Sequence, residues 1–179
     1  CLDDYIYWLQ LVVLLVSVHR FESEVTDRKL AEAEAKILHE CIQDNKYNHD
    51  EIIRILTTRS KAQLVATFYR FRDVFGTPIT KSLTTDKDKD FVSALQTTIR
   101  CIKSPHKYLE KVLSDAMHKR GTDEDAITRV IVTRAEKDLG RIKELFYKRN
   151  SVTLEHAVAK ETHGDYEKFL LTIMGNQGH

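Results

Sequence analysis

Apolar residues recur at intervals of three and four along most of this chain, which is the spacing of one face of an α-helix. The clearest stripe runs through the segment 61–75 and consists of Leu64, Val65, Phe68, Phe71, Val74 and Phe75. No segment shows a convincing strand alternation. The few glycines and prolines favour helices joined by short corners, because they separate the periodic segments at Pro78, Pro105, Gly121, Gly164 and Gly175. The pattern therefore predicts an all-α fold.

The periodic segments form two sets of five predicted helices. The first set covers 30–42, 49–57, 61–75, 78–84 and 90–102, and the second covers 107–118, 123–133, 136–149, 152–160 and 165–174. Thr122, followed three positions later by Asp125, predicts a capped start for the second helix of the second set.

A shift of 75 residues aligns the two sets without a gap. Identical pairs include Asp50 and Asp125, Ile52 and Ile127, Arg54 and Arg129, Arg59 and Arg134, Leu64 and Leu139, and Phe71 and Phe146. So long a period is typical of duplicated small domains rather than of a thin solenoid. We therefore predict one repeat over 29–103 and a second over 104–179, packed together, after a remnant of a preceding repeat and a linker over 1–28.

The N-terminal segment 5–18 is strongly apolar and about 14 residues long. A membrane-crossing helix needs roughly 20 residues. Asp3 and Asp4 stand where a signal peptide would carry basic residues. We interpret the segment as a short buried apolar helix, with a membrane anchor lying in the interface as the alternative.

Composition excludes partners that need a strong general field. The chain has 179 residues and a formal net charge of +1, from 28 basic and 27 acidic residues. No nucleic acid partner is predicted, and binding to an anionic membrane would need local positive charge such as a bound cation. Cys1, Cys41 and Cys101 show no C-x-x-C spacing, which predicts reduced, buried thiols and a cytoplasmic protein.

The most informative segment is 117–124, MHKRGTDE, together with Glu161 forty positions after Gly121. A glycine-containing turn between helices can point several carbonyls at one place, and a carboxylate from another turn can close it. Such oxygen ligation suits calcium, which takes six to eight oxygens. Three carbonyls and a bidentate carboxylate supply about five, which leaves positions for water or a phosphate oxygen. The same residues also fit an ordinary helix–helix corner.

The five-helix repeat, the KRGTDE turn, the later acid and the Thr-Arg pair ending each second helix resemble an annexin. YNHDEIIRILTTRSKAQ and NSVTLEHAVAKETHGDYEKFL resemble the third and fourth repeats of a plant annexin. The resemblance covers about 11–175, the C-terminal half of a four-repeat annexin. It implies calcium-dependent binding to an anionic phospholipid surface by a cytoplasmic protein that is peripheral on membranes in calcium.

The resemblance also implies a ligand set for Ca²⁺: the carbonyls of Met117, Lys119 and Gly121 with the carboxylate of Glu161. Thr122 and Glu124 are candidates for a minor metal site beside it.

The family loop G-x-G-T has Lys119 in place of its first glycine. The charge of Lys119 lowers the expected calcium affinity, and with Arg120 it is a candidate contact for a lipid headgroup phosphate. In the first repeat Lys46 replaces the key glycine although Asp86 keeps the acid, so no high-affinity calcium site is predicted there.

Other functions have weaker support. No H-E-x-x-H, G-x-S-x-G, P-loop or G-x-G-x-x-G motif occurs, so no enzyme is predicted. Ile53-Arg54-Ile55 resembles a short motif proposed in the family for F-actin contact, although its isoleucines lie on an apolar stripe. The alternative function is therefore a calcium-independent helical scaffold that binds a protein partner such as F-actin.

Two further expectations concern packing. Arg59 and Arg134 end equivalent helices, and their repetition predicts a structural ion pair within each repeat. Half the usual number of annexin repeats would leave an apolar face uncovered, which predicts self-association.

Overall fold

The computed structural model describes residues 24–43, 49–83, 89–118 and 121–175, and within these ranges the regular structure is helical and contains no strand. The predicted all-α fold is confirmed. The apolar segment 5–18 lies outside the described residues. In the part of the chain that is described, no helix is both long and apolar enough to cross a membrane.

The chain divides into two compact units between Lys103 and Ser104. The helices described in the first unit are α1 (Arg28–Gln43), α2 (His49–Thr58), α3 (Lys61–Phe75), α4 (Ile79–Ser82) and α5 (Lys89–Lys103). Those described in the second unit are α6 (Pro105–His118), α7 (Glu124–Arg134), α8 (Leu139–Asn150), α9 (Leu154–Glu161) and α10 (Gly164–Ile173).

Local capping chemistry explains where several helices begin. The hydroxyl of Ser60 accepts a hydrogen bond from the amide of Gln63 at 3.2 Å, which starts α3 at the predicted residue. The cap of α7 is Asp123, whose carboxylate accepts from the amide of Ala126 at 3.0 Å. The predicted cap at Thr122 is therefore wrong by one residue.

Two other helices are shorter than predicted. Helix α8 begins at Leu139 instead of residue 136, because the amides of Lys137 and Asp138 both donate to the carbonyl of Arg134 and close a turn. Helix α4 spans four residues, against seven in the predicted segment 78–84.

The core of the first unit contains a buried ion pair. Helices α1 and α3 pack against each other, and the carboxylate of Glu34 on α1 is only 2% exposed. The Nε of Arg59 lies 2.6 Å from Glu34 Oε1, and the hydroxyl of Thr67 donates to Glu34 Oε2 at 3.3 Å. The predicted structural pair is present and joins the end of α2 to the core.

The second unit repeats this core with a weaker pair. Its buried residues Leu113, Ile127, Ile131, Phe146 and Leu170 stand 75 positions after Leu38, Ile52, Leu56, Phe71 and Leu95, which are buried in the first unit. Here Arg134 Nη1 lies 3.7 Å from Asp138 Oδ2, and His106 Nε2 lies 2.9 Å from the same oxygen. The prediction that the cysteines are buried is wrong for Cys101, which is exposed.

Candidate calcium site

The corner between α6 and α7 is closed by main-chain bonding. The amide of Asp123 donates to the carbonyl of Ala116 at 3.0 Å, so the chain returns to the end of α6 after a short excursion. Gly121 has φ +85°, and a Cβ there would meet nothing within 4 Å. Glycine is therefore favoured by its backbone conformation and not by lack of space. Met117 lies in the last turn of α6, where helix carbonyls have no intrahelical donor.

Glu161 reaches this corner from the end of α9. The hydroxyl of Thr122 lies 3.4 Å from Glu161 Oε2 and 3.4 Å from the Glu161 carbonyl oxygen, the long end of hydrogen bonding. Leu154 and Val158 anchor α9 because both are fully buried. The Thr162 amide and hydroxyl both donate to the Val158 carbonyl, at 2.9 and 2.7 Å, and hold the helix end.

The structure thus brings together part of the predicted ligand set. Met117, Gly121 and Glu161 belong to this corner and to the helix end that meets it, whereas Lys119 and Arg120 lie outside the described residues. No group of three or more His, Cys, Asp or Glu side chains that could hold a metal occurs within the described ranges. Any cation here must therefore be held mainly by main-chain oxygens with one carboxylate, a hard donor set that fits calcium.

The two candidates for a minor site are engaged through their main chain. The Thr122 carbonyl accepts from the Glu124 amide at 3.1 Å, and the Glu124 carbonyl accepts from the Tyr166 hydroxyl at 2.9 Å. The Glu124 side chain is exposed. The neighbouring carboxylate of Asp123 caps α7. A minor site at Thr122 and Glu124 stays a prediction.

Sequence reasoning missed Tyr166, the residue that holds the entrance of α7. Its hydroxyl also lies 2.7 Å from Thr128 Oγ1. The available signal was the repeat itself, since the positions 75 residues earlier hold Phe91 and Ile53, neither of which carries a hydroxyl.

The remaining candidate residues lie in the first unit. Ile53 and Ile55 are 2% and 0% exposed, so only Arg54 of the Ile53-Arg54-Ile55 segment reaches the surface. Arg54 Nε donates to Glu51 Oε2 at 2.9 Å, and this hydrogen bond lowers the pKa of the Glu51 carboxyl. Lys46 and Asp86, the counterparts of the calcium corner, fall in ranges that are not described.

Comparison with known proteins identifies the class. The family model named Annexin matches residues 33–97 and 108–173, and the chain belongs to the annexin family. It is 56% identical over 168 residues to annexin-like protein RJ4 of Fragaria ananassa, covering 94% of this chain and 54% of that protein. It is 49% identical over 167 residues to annexin D7 of Arabidopsis thaliana, covering 93% of this chain and 53% of the relative.

Solved structures agree with the sequence comparison. Chicken annexin V in complex with Zn²⁺ matches with a TM-score of 0.85 and 30% identity, over 94% of this chain and 54% of that chain. The chain spans about half the length of the curated relatives it matches. The predicted resemblance to a plant annexin is confirmed, and these relatives are named as annexins and not as enzymes.

Proposed function

We propose that this chain attaches to anionic phospholipid surfaces in the presence of calcium. The observation that carries the proposal is the approach of Glu161 to Thr122, which supports a carboxylate facing a corner whose carbonyls lack helical partners. Annexins are known in general for calcium-dependent phospholipid binding, which supports the same function.

The proposed mechanism is a calcium bridge. The carbonyls of Met117, Lys119 and Gly121 and the carboxylate of Glu161 supply about five oxygens, fewer than the six to eight that calcium takes. A phosphate oxygen of a lipid headgroup fills an open position. One carboxylate offsets only half of the ion's charge, so the filled site attracts an anion, with Lys119 and Arg120 as further contacts for the phosphate.

Calcium and lipid then strengthen each other's binding by equal factors, as linkage requires. Calcium alone binds weakly, because one carboxylate faces a divalent ion. The net charge of +1 gives no general attraction to an anionic surface, so attachment depends on this corner. F-actin binding and self-association stay predictions from the sequence.

The direct test is co-sedimentation with vesicles of phosphatidylserine and phosphatidylcholine across a calcium titration. We expect the bound fraction to rise with calcium and to fall to the background of pure phosphatidylcholine vesicles when chelator is added. Equal sedimentation in calcium and in chelator contradicts the proposal. Sedimentation with actin filaments in chelator, but not with vesicles in calcium, favours the scaffold function instead.

Neutralising Lys119 should lower the calcium concentration needed for binding. A unit charge about 8 Å from a divalent ion costs about 1 kcal/mol at the dielectric constant of water, which corresponds to about fivefold in affinity. We expect Lys119→Gln to tighten calcium binding by up to about this factor, measured by calorimetry without lipid at low salt. Lys119→Gly is the matched variant, because it removes the charge and also relaxes the backbone.

The two variants separate charge from backbone conformation. Equal tightening in both assigns the effect to charge, whereas tightening in Lys119→Gly alone assigns it to the lost glycine of the G-x-G-T loop. Unchanged affinity in both variants shows that Lys119 does not face the ion.

A further inference from the structure

One hydrogen-bonded group ties the calcium corner to α10. The Tyr166 hydroxyl donates to the Glu124 carbonyl at 2.9 Å, and Thr128 Oγ1 lies 2.7 Å from the same hydroxyl. The phenol has one proton, which the Glu124 carbonyl takes, so Thr128 is the donor to Tyr166. Burial raises the pKa of the Tyr166 hydroxyl, which keeps it protonated as a donor at neutral pH.

The same short segment holds the corner at two points. Glu161, at the end of α9, meets Thr122, and Tyr166, in the first turns of α10, meets the carbonyl of Glu124. Two attachments from one rigid connection fix the distance and the orientation between the corner and the Glu161 carboxylate. A single attachment would leave the corner able to turn about it.

The other repeat lacks this arrangement. Phe91 and Ile53 stand at the positions of Tyr166 and Thr128, and they are 1% and 2% exposed. An apolar pair cannot hold a main-chain carbonyl by hydrogen bonding. The repeat that carries the hydroxyl pair is also the one that keeps the glycine in its corner, whereas Lys46 replaces it in the first repeat.

We propose that Tyr166 is a positioning residue for calcium, because its hydroxyl holds the corner in the conformation that faces Glu161 before the ion arrives. This inference rests on the proposed function. A ligand set formed in advance binds more tightly, since affinity falls in proportion to the fraction of molecules in the competent conformation. Tyr166 itself contacts no ion.

The test is Tyr166→Phe, which removes one hydroxyl and keeps the ring. We expect the calcium concentration for half-maximal vesicle binding to rise by about two- to fivefold, up to the factor that corresponds to one hydrogen bond. The maximal bound fraction should not change, because saturating calcium still selects the competent corner. The matched control is Tyr147→Phe, which changes an exposed tyrosine on α8 and should leave the calcium requirement unchanged.

Hydrogen exchange in chelator supplies a second measurement that needs neither calcium nor lipid. We expect amides in 121–126 to exchange faster in Tyr166→Phe, with unchanged protection in the core of either unit. An unchanged calcium requirement overturns the inference, whatever the exchange rates. A higher requirement accompanied by lost protection throughout both units also overturns it, because the role is then general stability. Wild-type protein that ignores calcium overturns the proposed function, and this inference falls with it.

Discussion

Glu161→Gln is expected to abolish calcium-dependent sedimentation with phosphatidylserine vesicles. The amide carries no charge, so the divalent ion loses the only anionic ligand in its proposed set. Removing one partner of a close charge pair costs about 3 kcal/mol, or more than about a hundredfold in affinity. Glutamine keeps an oxygen that accepts from the Thr122 hydroxyl, so helicity and the unfolding midpoint should stay at their wild-type values.

Asp86→Asn is the matched control, since Asp86 stands 75 residues before Glu161 in the other repeat. We expect no change in calcium response, because Lys46 replaces the glycine of that corner. Unchanged sedimentation of Glu161→Gln would remove Glu161 from the mechanism. An equal loss in Asp86→Asn would show that the first repeat also contributes to calcium-dependent attachment.

The largest expected change in stability comes from Arg59→Met. Glu34 is 2% exposed and keeps its charge beside Arg59 Nε at 2.6 Å, so removing Arg59 leaves a buried carboxylate with only the Thr67 hydroxyl. Losing one partner of such a pair destabilises by about 3 kcal/mol. Methionine retains most of the apolar stem, so packing changes little. Urea unfolding followed by circular dichroism measures the difference.

Arg134→Met tests the same substitution at the equivalent position of the second repeat. Arg134 lies 3.7 Å from Asp138, whose side chain is 27% exposed, so we expect a loss of less than about 1 kcal/mol. Adding Glu34→Gln to Arg59→Met should recover much of the loss, because a neutral amide is easier to bury than a carboxylate. Equal destabilisation by the two arginine substitutions would contradict this account.

Local patterns in the sequence were sufficient for most helix positions. The stripe over 61–75 and its Ser60 cap predict α3 at its observed bounds, because amphipathicity and capping act within a few residues. The start of α7 shows where this reasoning fails. Thr122 and Asp123 are both good caps by residue type, and the path of the corner decides that Asp123 bonds Ala126.

That small error matters for the candidate site. With Asp123 as the cap, the Thr122 hydroxyl can turn toward Glu161, which the sequence could not show. The exposure of Cys101 is a similar case, since a residue in an apolar helical pattern can still lie beyond the edge of the buried face.

The sequence by itself determined the all-α class, the duplicated repeat, the annexin family and the residues proposed to hold calcium, because periodicity and motif spacing are properties of the chain. Tertiary structure alone decided that Glu161 meets Thr122 and that Tyr166 holds the Glu124 carbonyl. Groups about forty residues apart come within hydrogen-bonding distance only after their helices pack on a common core. A bond to a main-chain carbonyl also leaves no trace in the identity of the accepting residue.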